Sequence, residues 1–112
     1  MTLAGERCEA CTGATPRVTG DELTALSGEL SRGWQVEDDV RLREHLTFRT
    51  FAEAFDVASR IANLADAEGH HPDMCVGWGY LDVTLTTHAI GGLSRNDLIM
   101  AAKIDGLTAG GA

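Results

Sequence analysis

Apolar residues recur at intervals of three and four positions in three stretches of the chain, the spacing of one buried helix face. The longest stretch runs from about Thr50 to Glu68, and two shorter ones follow Thr19 and Ser94. The residues expected on these faces are Leu23, Leu26 and Leu30; Phe51, Phe55, Ala58, Ile61 or Ala62, and Ala65; and Leu98, Ala101 and Ile104. The pattern therefore predicts three amphipathic helices.

Residues typical of helix ends mark where these helices begin and stop. Thr19-Gly20-Asp21-Glu22 has the form of a capping box, and Ser94-Arg95-Asn96-Asp97 is a Ser-x-x-Asp variant of it. Gly33 is expected to end the first helix, and Gly69 can end the second in the left-handed conformation. Asp97 is then an acid in the first turn of the third helix, where it complements the helix dipole.

Alternation of apolar and polar residues predicts two β-hairpins between the helices. In the first, Trp34-Gln35-Val36 and residues 40–48 flank a turn at residues 37–39. In the second, Cys75-Val76 and residues 80–88 flank Gly77-Trp78-Gly79. In the last strand, His88 falls on the face opposite Leu81, Val83 and Leu85. We therefore expect His88 to point away from the core at the end of this strand.

The order helix, hairpin, helix, hairpin, helix predicts an α+β fold, a four-stranded antiparallel sheet with three helices packed on one face. Residues 1–18 lack periodicity and are expected to form a weakly ordered N-terminal arm, called the arm below, ahead of a single domain at 19–112. One sheet face and two sheet edges stay uncovered, which favours a homo-oligomer.

Composition limits the classes of protein that fit. The chain has 112 residues, of which 44% are hydrophobic and 23% charged, typical of one soluble domain. No apolar run is long enough for a membrane span or a signal peptide, so we expect a cytoplasmic protein without a membrane partner. The net charge of −8 argues against direct nucleic-acid binding, which needs clustered Lys and Arg.

The three cysteines do not predict a disulfide framework, because their number is odd. Cys8 and Cys11 have CxxC spacing, but a structural zinc site needs four ligands and the chain has no second pair. We therefore expect an unmetallated arm. A partial metal or redox site at these cysteines is the alternative.

Three of the four histidines lie in one segment, and two of them follow Gly69 directly as His70-His71-Pro72. Pro72 disfavours helical geometry at His71, so both imidazoles should sit at a rigid corner. A purely structural interpretation is that they cap the helix C-terminus. With His88 nearby, the cluster favours acid–base chemistry, because neighbouring imidazoles can hold different protonation states. A tri-histidine zinc site is a less favoured alternative, and no feature activates Cys75 as a nucleophile.

His70-His71-Pro72, Asp66 before it, Thr86-Thr87-His88 and Leu93-Ser94-Arg95-Asn96-Asp97 closely resemble the pattern of pterin-4a-carbinolamine dehydratases. The resemblance implies the same four-stranded fold, a homodimer or homotetramer, and no metal or bound cofactor. It implies removal of water from 4a-hydroxytetrahydropterin, a pterin substrate, to give quinonoid dihydropterin. This reaction recycles the cofactor of aromatic amino acid hydroxylases, so functional coupling to phenylalanine hydroxylase is expected.

The resemblance also assigns roles to residues. His70 and His88 would transfer protons at the C4a hydroxyl and N5, and His71 would bind and orient the pterin. The pocket would be lined by Pro72 and by the backbone of Thr87, His88, Ala89 and Ile90. Supporting residues would be Asp66, which would orient one imidazole, with Asp97 and Trp34. Family members often carry an aromatic residue where this chain has Met74, so that wall of the pocket would be missing or supplied by Trp78 or Trp34.

A different function on the same fold is the main alternative. Chains of this fold also act as dimerisation cofactors of a homeodomain transcription factor, or as assembly factors without the catalytic pattern. The intact His70, His71 and His88 favour the enzyme over such a non-catalytic factor. A small-molecule-binding domain without turnover fits the composition equally well.

Overall fold

The predicted order of helices and hairpins is confirmed in residues 2–110, the part of the chain that the structure, a computed structural model, describes. Met1 of the predicted arm and residues 111–112 of the predicted domain lie outside it. The elements are α1 (Gly20–Ser27), β1 (Gln35–Glu37), β2 (Arg41–Thr47), α2 (Phe51–Glu68), β3 (Asp73–Gly77), β4 (Tyr80–Leu85) and α3 (Arg95–Gly110).

The four strands form one antiparallel sheet in the order β1-β2-β4-β3, so the two hairpins join through β2 and β4. Leu42 of β2 lies opposite Leu85 of β4. The β1–β2 turn places Asp38 and Asp39 in the left-handed region, at φ 53° and 57°, which aspartate tolerates better than most residues. The predicted fold class is confirmed.

The core lies between one face of this sheet and the helices. Alternate residues of β4 are buried, as predicted, because side chains of a strand point to opposite faces in turn. They join one cluster with residues of all three helices. Its sheet and helix members are Leu42, Leu81, Val83, Leu85, Leu23, Leu26, Ala58, Ile61, Ala65, Leu98, Ile99, Met100, Ala101 and Ile104.

The bounds of α2 agree with the sequence, but part of its predicted buried face is wrong. Thr50 caps the N-terminus through its side chain, which accepts a hydrogen bond from the Glu53 N–H at 3.1 Å. Phe51 and Phe55 are 48% and 60% exposed and stack on each other. The buried residues are Ala54, Ala58, Ile61 and Ala65. Ala58, Ile61 and Ala65 are buried as predicted, whereas Ala54 is buried in place of Phe51 and Phe55. Ala54 continues the same three- and four-residue spacing, so periodicity alone allowed either choice.

The first helix is shorter than predicted. It ends at Ser27 rather than near Gly33, and the side chain of Thr19 makes no capping hydrogen bond. The chain after α1 is held by α3 instead, because the Ser31 N–H donates to Asp105 Oδ2 at 2.8 Å. Leu30 consequently packs against the core from outside the helix.

The described part of the arm packs against α3, which differs from the expected weak order. Leu3, in a short 3₁₀ helix (Leu3–Gly5), and Val18 are both buried in the core cluster. The Val18 N–H donates to the Leu93 carbonyl at 2.8 Å. Isolated apolar residues of this kind produce no periodicity, so no pattern in the sequence indicated this packing. The domain boundary at residue 19 stays a prediction.

Candidate active site

The corner after α2 has the geometry that Gly69 and Pro72 predict. Gly69 is left-handed at φ 70°, and its N–H donates to the Ala65 carbonyl at 2.8 Å, which ends the helix. The two histidines that follow differ in environment, since the side chain of His70 is 10% exposed and that of His71 is 61% exposed. The corner therefore presents one imidazole to the interior and one to solvent.

The buried imidazole contacts a buried acid. Asp97, in the first turn of α3, is fully buried, and its Oδ1 lies 2.6 Å from His70 Nε2. Its Oδ2 accepts hydrogen bonds from Thr87 Oγ1 at 2.7 Å and from the Ser94 N–H at 2.9 Å. The Ser94 contact is one half of the predicted capping box. Three hydrogen-bonding groups therefore converge on this one carboxyl group at a helix N-terminus.

With Asp97 as a carboxylate, these contacts are consistent with one arrangement of the hydrogens. An ionised Asp97 can only accept, so His70 Nε2 carries a hydrogen and the Thr87 hydroxyl gives its single proton to Asp97. The hydroxyl of Ser94, 2.7 Å from Thr87 Oγ1, must then donate to Thr87. In its neutral form, His70 therefore has an unprotonated Nδ1 that can accept a proton.

The exposed imidazole, that of His71, contacts a different acid. His71 Nε2 lies 3.0 Å from Asp66 Oδ1, and both side chains are largely exposed. The structure thus brings Asp66 to the imidazole of His71, and its predicted orienting role stays a prediction. An exposed pair of this kind contributes little to stability, about 0–1 kcal/mol.

His88 does not lie at the end of a strand, contrary to the expectation. β4 ends at Leu85, and His88 begins a short 3₁₀ helix, His88–Ile90. The chain turns because the Thr86 hydroxyl donates to the Val40 carbonyl at 2.6 Å and Thr87 pairs with Gly92. The alternation of burial continues through this turn, so Thr87 is buried and His88 is exposed, as its parity predicts.

Fewer backbone amides are free to bind a ligand than the sequence suggested. The Thr87 N–H donates to the Gly92 carbonyl at 2.8 Å, and the Ile90 N–H donates to the Thr87 carbonyl at 3.2 Å. The amides left without an acceptor inside the short helix are those of its first turn, His88 and Ala89. Ala89 is exposed and Ile90 half-buried, as is Pro72 across the corner.

The structure brings neither tryptophan to the histidine corner. The indole N–H of Trp34 donates to Asp105 Oδ1 at 2.8 Å, and Asp105 lies two turns, about 12 Å, beyond Asp97 along α3. Trp78 is 81% exposed in the β3–β4 turn, at the end of β3 away from Pro72. The predicted support from Trp34, or an aromatic wall from either residue, is not part of this site.

Residues 2–110 bring no three His, Cys, Asp or Glu side chains together as a possible metal-ligand set. Cys8, Cys11 and Cys75 are free thiols. Within the same residues, no helix is both long and apolar enough to cross a membrane. The expectation that no metal is bound stays a prediction.

Thr87 and Ser94 are the side chains of this site that sequence reasoning missed. It assigned Thr87 a backbone role only and treated Ser94 as a helix cap. The contact between His70 and Asp97 joins residues 27 positions apart, which no local pattern reports. The capping box was the one signal available, because it placed Asp97 at the buried start of a helix.

The fold and this site define an α+β domain that holds a buried histidine–carboxylate pair beside further histidines. Residues 16–107 match the family model described as "Pterin 4 alpha carbinolamine dehydratase". The chain belongs to the pterin-4a-carbinolamine dehydratase family, as the sequence resemblance predicted.

Relatives of known sequence support this membership over nearly the whole chain. One from Rubrobacter xylanophilus, named "Putative pterin-4-alpha-carbinolamine dehydratase", is 44% identical over 105 residues, covering 94% of this chain and 97% of the relative. Another of the same name, from Methylococcus capsulatus, is 42% identical over 96% and 95% of the two chains.

Two solved structures are similar in fold. A "transcriptional coactivator/pterin dehydratase" from Brucella melitensis has a TM-score of 0.76 and 30% identity, covering 82% of this chain and 98% of its own. A pterin dehydratase-like protein identified as a RuBisCO assembly factor in the alpha-carboxysome has a TM-score of 0.59 and 23% identity, over 68% and 89%. The second likeness concerns the fold alone.

Proposed function

We propose that this chain is a dehydratase that removes water from 4a-hydroxytetrahydropterin by histidine acid–base catalysis. Family membership supports the substrate class, and the contact between Asp97 and His70 is the observation that carries the mechanism. In the reaction, the C4a–O bond breaks, the hydroxyl leaves as water with an added proton, and N5 loses its proton. The electrons of the N5–H bond form the C4a=N5 double bond of quinonoid dihydropterin.

The two proton transfers are assigned to His70 and His88. The unprotonated Nδ1 of neutral His70 is suited to take the proton from N5, because Asp97 contacts the opposite ring nitrogen and orients the imidazole. The exposed His88, as an imidazolium, supplies the proton for the leaving hydroxyl. His71, paired with Asp66, binds and orients the pterin, and the amides of His88 and Ala89 bind its polar edge.

The wider role follows from the reaction. The enzyme recycles the tetrahydropterin consumed in aromatic amino acid hydroxylation, which couples it functionally to phenylalanine hydroxylase in the cytoplasm. It works as a homodimer or homotetramer without metal or bound cofactor. Elemental analysis showing about one zinc per chain, with activity lost on chelation, would contradict the metal-free mechanism.

A direct dehydration assay tests the proposed activity. 4a-Hydroxytetrahydropterin is generated in situ, and formation of quinonoid dihydropterin is followed by its absorbance with and without the protein. Because carbinolamines lose water unaided, the background rate is subtracted. We expect a saturable rate above background. A rate equal to background at all protein concentrations would favour the non-catalytic alternative, a dimerisation or assembly factor on this fold.

A further inference from the structure

We propose that the arm is a positioning element of the active site, acting through Asn96 and Glu68. It joins the end of α2 to the start of α3, the two helix ends that carry His70 and Asp97. The inference rests on the proposed function and extends it to a segment to which sequence reasoning gave no role.

At the start of α3, one buried amide binds the arm in both directions. The Glu9 N–H donates to Asn96 Oδ1 at 3.0 Å, and Asn96 Nδ2 donates to the Glu9 carbonyl at 2.5 Å. Asn96 is buried and directly precedes Asp97. Next to it, Arg95 forms a two-pronged ion pair with Glu6, both contacts at 2.7 Å. The arm therefore holds the turn that carries Asp97, the acid that contacts His70.

At the end of α2, the arm binds the residue two positions before His70. The Cys8 N–H donates to Glu68 Oε1 at 2.9 Å, and Lys103 of α3 lies 3.6 Å from Glu68 Oε2. Lys103 also donates to the Ala4 carbonyl at 2.9 Å. The bond from Cys8, followed by the charge of Lys103, lowers the pKa of the Glu68 carboxyl. Glu68 is therefore an anionic junction of α2, α3 and the arm.

The CxxC spacing has a role in this arrangement. Cys8 Sγ lies 3.7 Å from the Asn96 carbonyl oxygen, and Asn96 Nδ2 donates to Cys11 Sγ at 3.0 Å. Burial raises the pKa of the Cys8 thiol to about 12, and the nearby Glu68 charge adds to the shift. A thiol of this kind is a poor nucleophile and a poor metal ligand. The two cysteines therefore contact Asn96 at different atoms, Cys8 at its backbone carbonyl and Cys11 at its side-chain amide.

Loss of the arm contacts is expected to disturb the contact between His70 and Asp97. Asn96 and Glu68 are one and two positions from Asp97 and His70, so freeing the arm loosens both partners of a 2.6 Å contact at once. Misplacement of a catalytic group by about 1 Å costs on the order of 10²-fold in rate. We therefore expect loss of the arm contacts to lower kcat rather than substrate binding.

Two variants test the positioning role of the arm, one at the start of α3 and one at the end of α2. Asn96→Ala removes both bonds to Glu9, and Glu68→Ala removes the acceptor for Cys8. Each should lower kcat by about 10-fold or more, with KM changed by less than about twofold. Glu68→Gln keeps an oxygen for the Cys8 N–H and should retain most activity. Asn63→Ala, at an exposed position of α2, is the matched control and should leave kcat unchanged.

A spectroscopic readout separates this inference from the proposed function. In protein labelled with ¹⁵N-histidine, the proton on His70 Nε2 should give a low-field, slowly exchanging signal, because it is shared with a buried carboxylate. The signal should broaden in Asn96→Ala and Glu68→Ala and persist in Glu68→Gln. If Asn96→Ala does not fold, the two Glu68 variants decide. Wild-type kcat and an unchanged His70 signal in folded Glu68→Ala would overturn the inference, whereas an inactive wild type would overturn the proposed function alone.

Discussion

Asp97 Oδ1 lies 2.6 Å from His70 Nε2, which joins the first turn of α3 to the corner at the end of α2. The carboxylate is fully buried and also accepts hydrogen bonds from Thr87 and Ser94. The sequence assigned Asp97 mainly to the helix dipole. In the structure it also contacts Nε2 of His70, which makes it the main positioning acid of the site.

Asp97→Asn should therefore lower kcat by about 10²-fold or more at nearly unchanged size. An amide nitrogen facing Nε2 would favour the other tautomer of His70 and so occupy Nδ1 with a proton. Steady-state dehydration kinetics measure the loss, and ¹⁵N chemical shifts of the imidazole report the tautomer. Asp66→Asn, at the exposed partner of His71, is the control and should change KM more than kcat. A kcat within about twofold of wild type in Asp97→Asn would show that the contact has no catalytic role.

Burial of Glu44 is expected to lower the free energy of unfolding in a pH-dependent way. This residue of β2 is buried on the core side, with the Ser31 hydroxyl donating to Oε2 at 3.2 Å. Its Oε1 has no hydrogen-bond partner among the described residues. Burial, together with the negative charge of Asp105, raises the pKa of Glu44 from 4.5 to about 6.

The direction in which stability changes with pH follows from proton linkage at Glu44. Because the folded-state pKa of Glu44 lies above the unfolded value, folding binds a proton between about pH 4.5 and 6, and stability falls as pH rises through this window. Above it, the ionised carboxylate costs about 2 kcal/mol. Glu44→Gln should thus gain about 1–2 kcal/mol over wild type at pH 7 and almost nothing at pH 4, measured by urea unfolding. An equal difference at both pH values would contradict this assignment.

The homo-oligomer stays a prediction, and it rests on the uncovered sheet face and on the edge strands β1 and β3. Multi-angle light scattering at micromolar concentration should give a mass of at least twice the 11.9 kDa of one chain. A mass of one chain across the accessible concentration range would reject self-association through these surfaces.

Much of the fold could be predicted from the sequence, because it depends on local signals. Gly69 ended α2 where expected, and alternation placed Leu81, Val83 and Leu85 in the core. The errors have long-range causes. α1 ends at Ser27, and the N–H of Ser31, which was expected inside that helix, donates to Asp105, 74 positions away. The buried face of α2 was ambiguous between Phe51 and Ala54.

The candidate site divides in the same way. Its histidines, and the corner that holds two of them, could be predicted from His70-His71-Pro72 and from the parity of His88 in its strand. The acid that contacts His70 was not, because the contact depends on how α3 packs beside the end of α2. Trp34 was misplaced for the same reason, since its partner Asp105 lies 71 positions away.

The three histidines should differ in kinetic effect. His70→Ala and His88→Ala should lower kcat far more than they raise KM, since acid–base groups typically contribute about 10²–10⁴-fold in rate. His71→Ala should show the opposite balance, because its role is to bind and orient the pterin. Each rate is corrected for uncatalysed dehydration. A larger effect of His71→Ala than of His70→Ala on kcat would reverse the assigned roles.

The double variant His70→Ala/His88→Ala tests the central claim most directly. If both histidines can reach the leaving hydroxyl, each single change is partly compensated, and the double loss exceeds the product of the single losses. Background-corrected dehydration of 4a-hydroxytetrahydropterin is measured for wild type, both single variants and the double variant, with folding checked by circular dichroism. We expect the double variant to dehydrate the pterin no faster than the uncatalysed reaction. A folded double variant that dehydrates it as fast as the wild type would show that these histidines are structural.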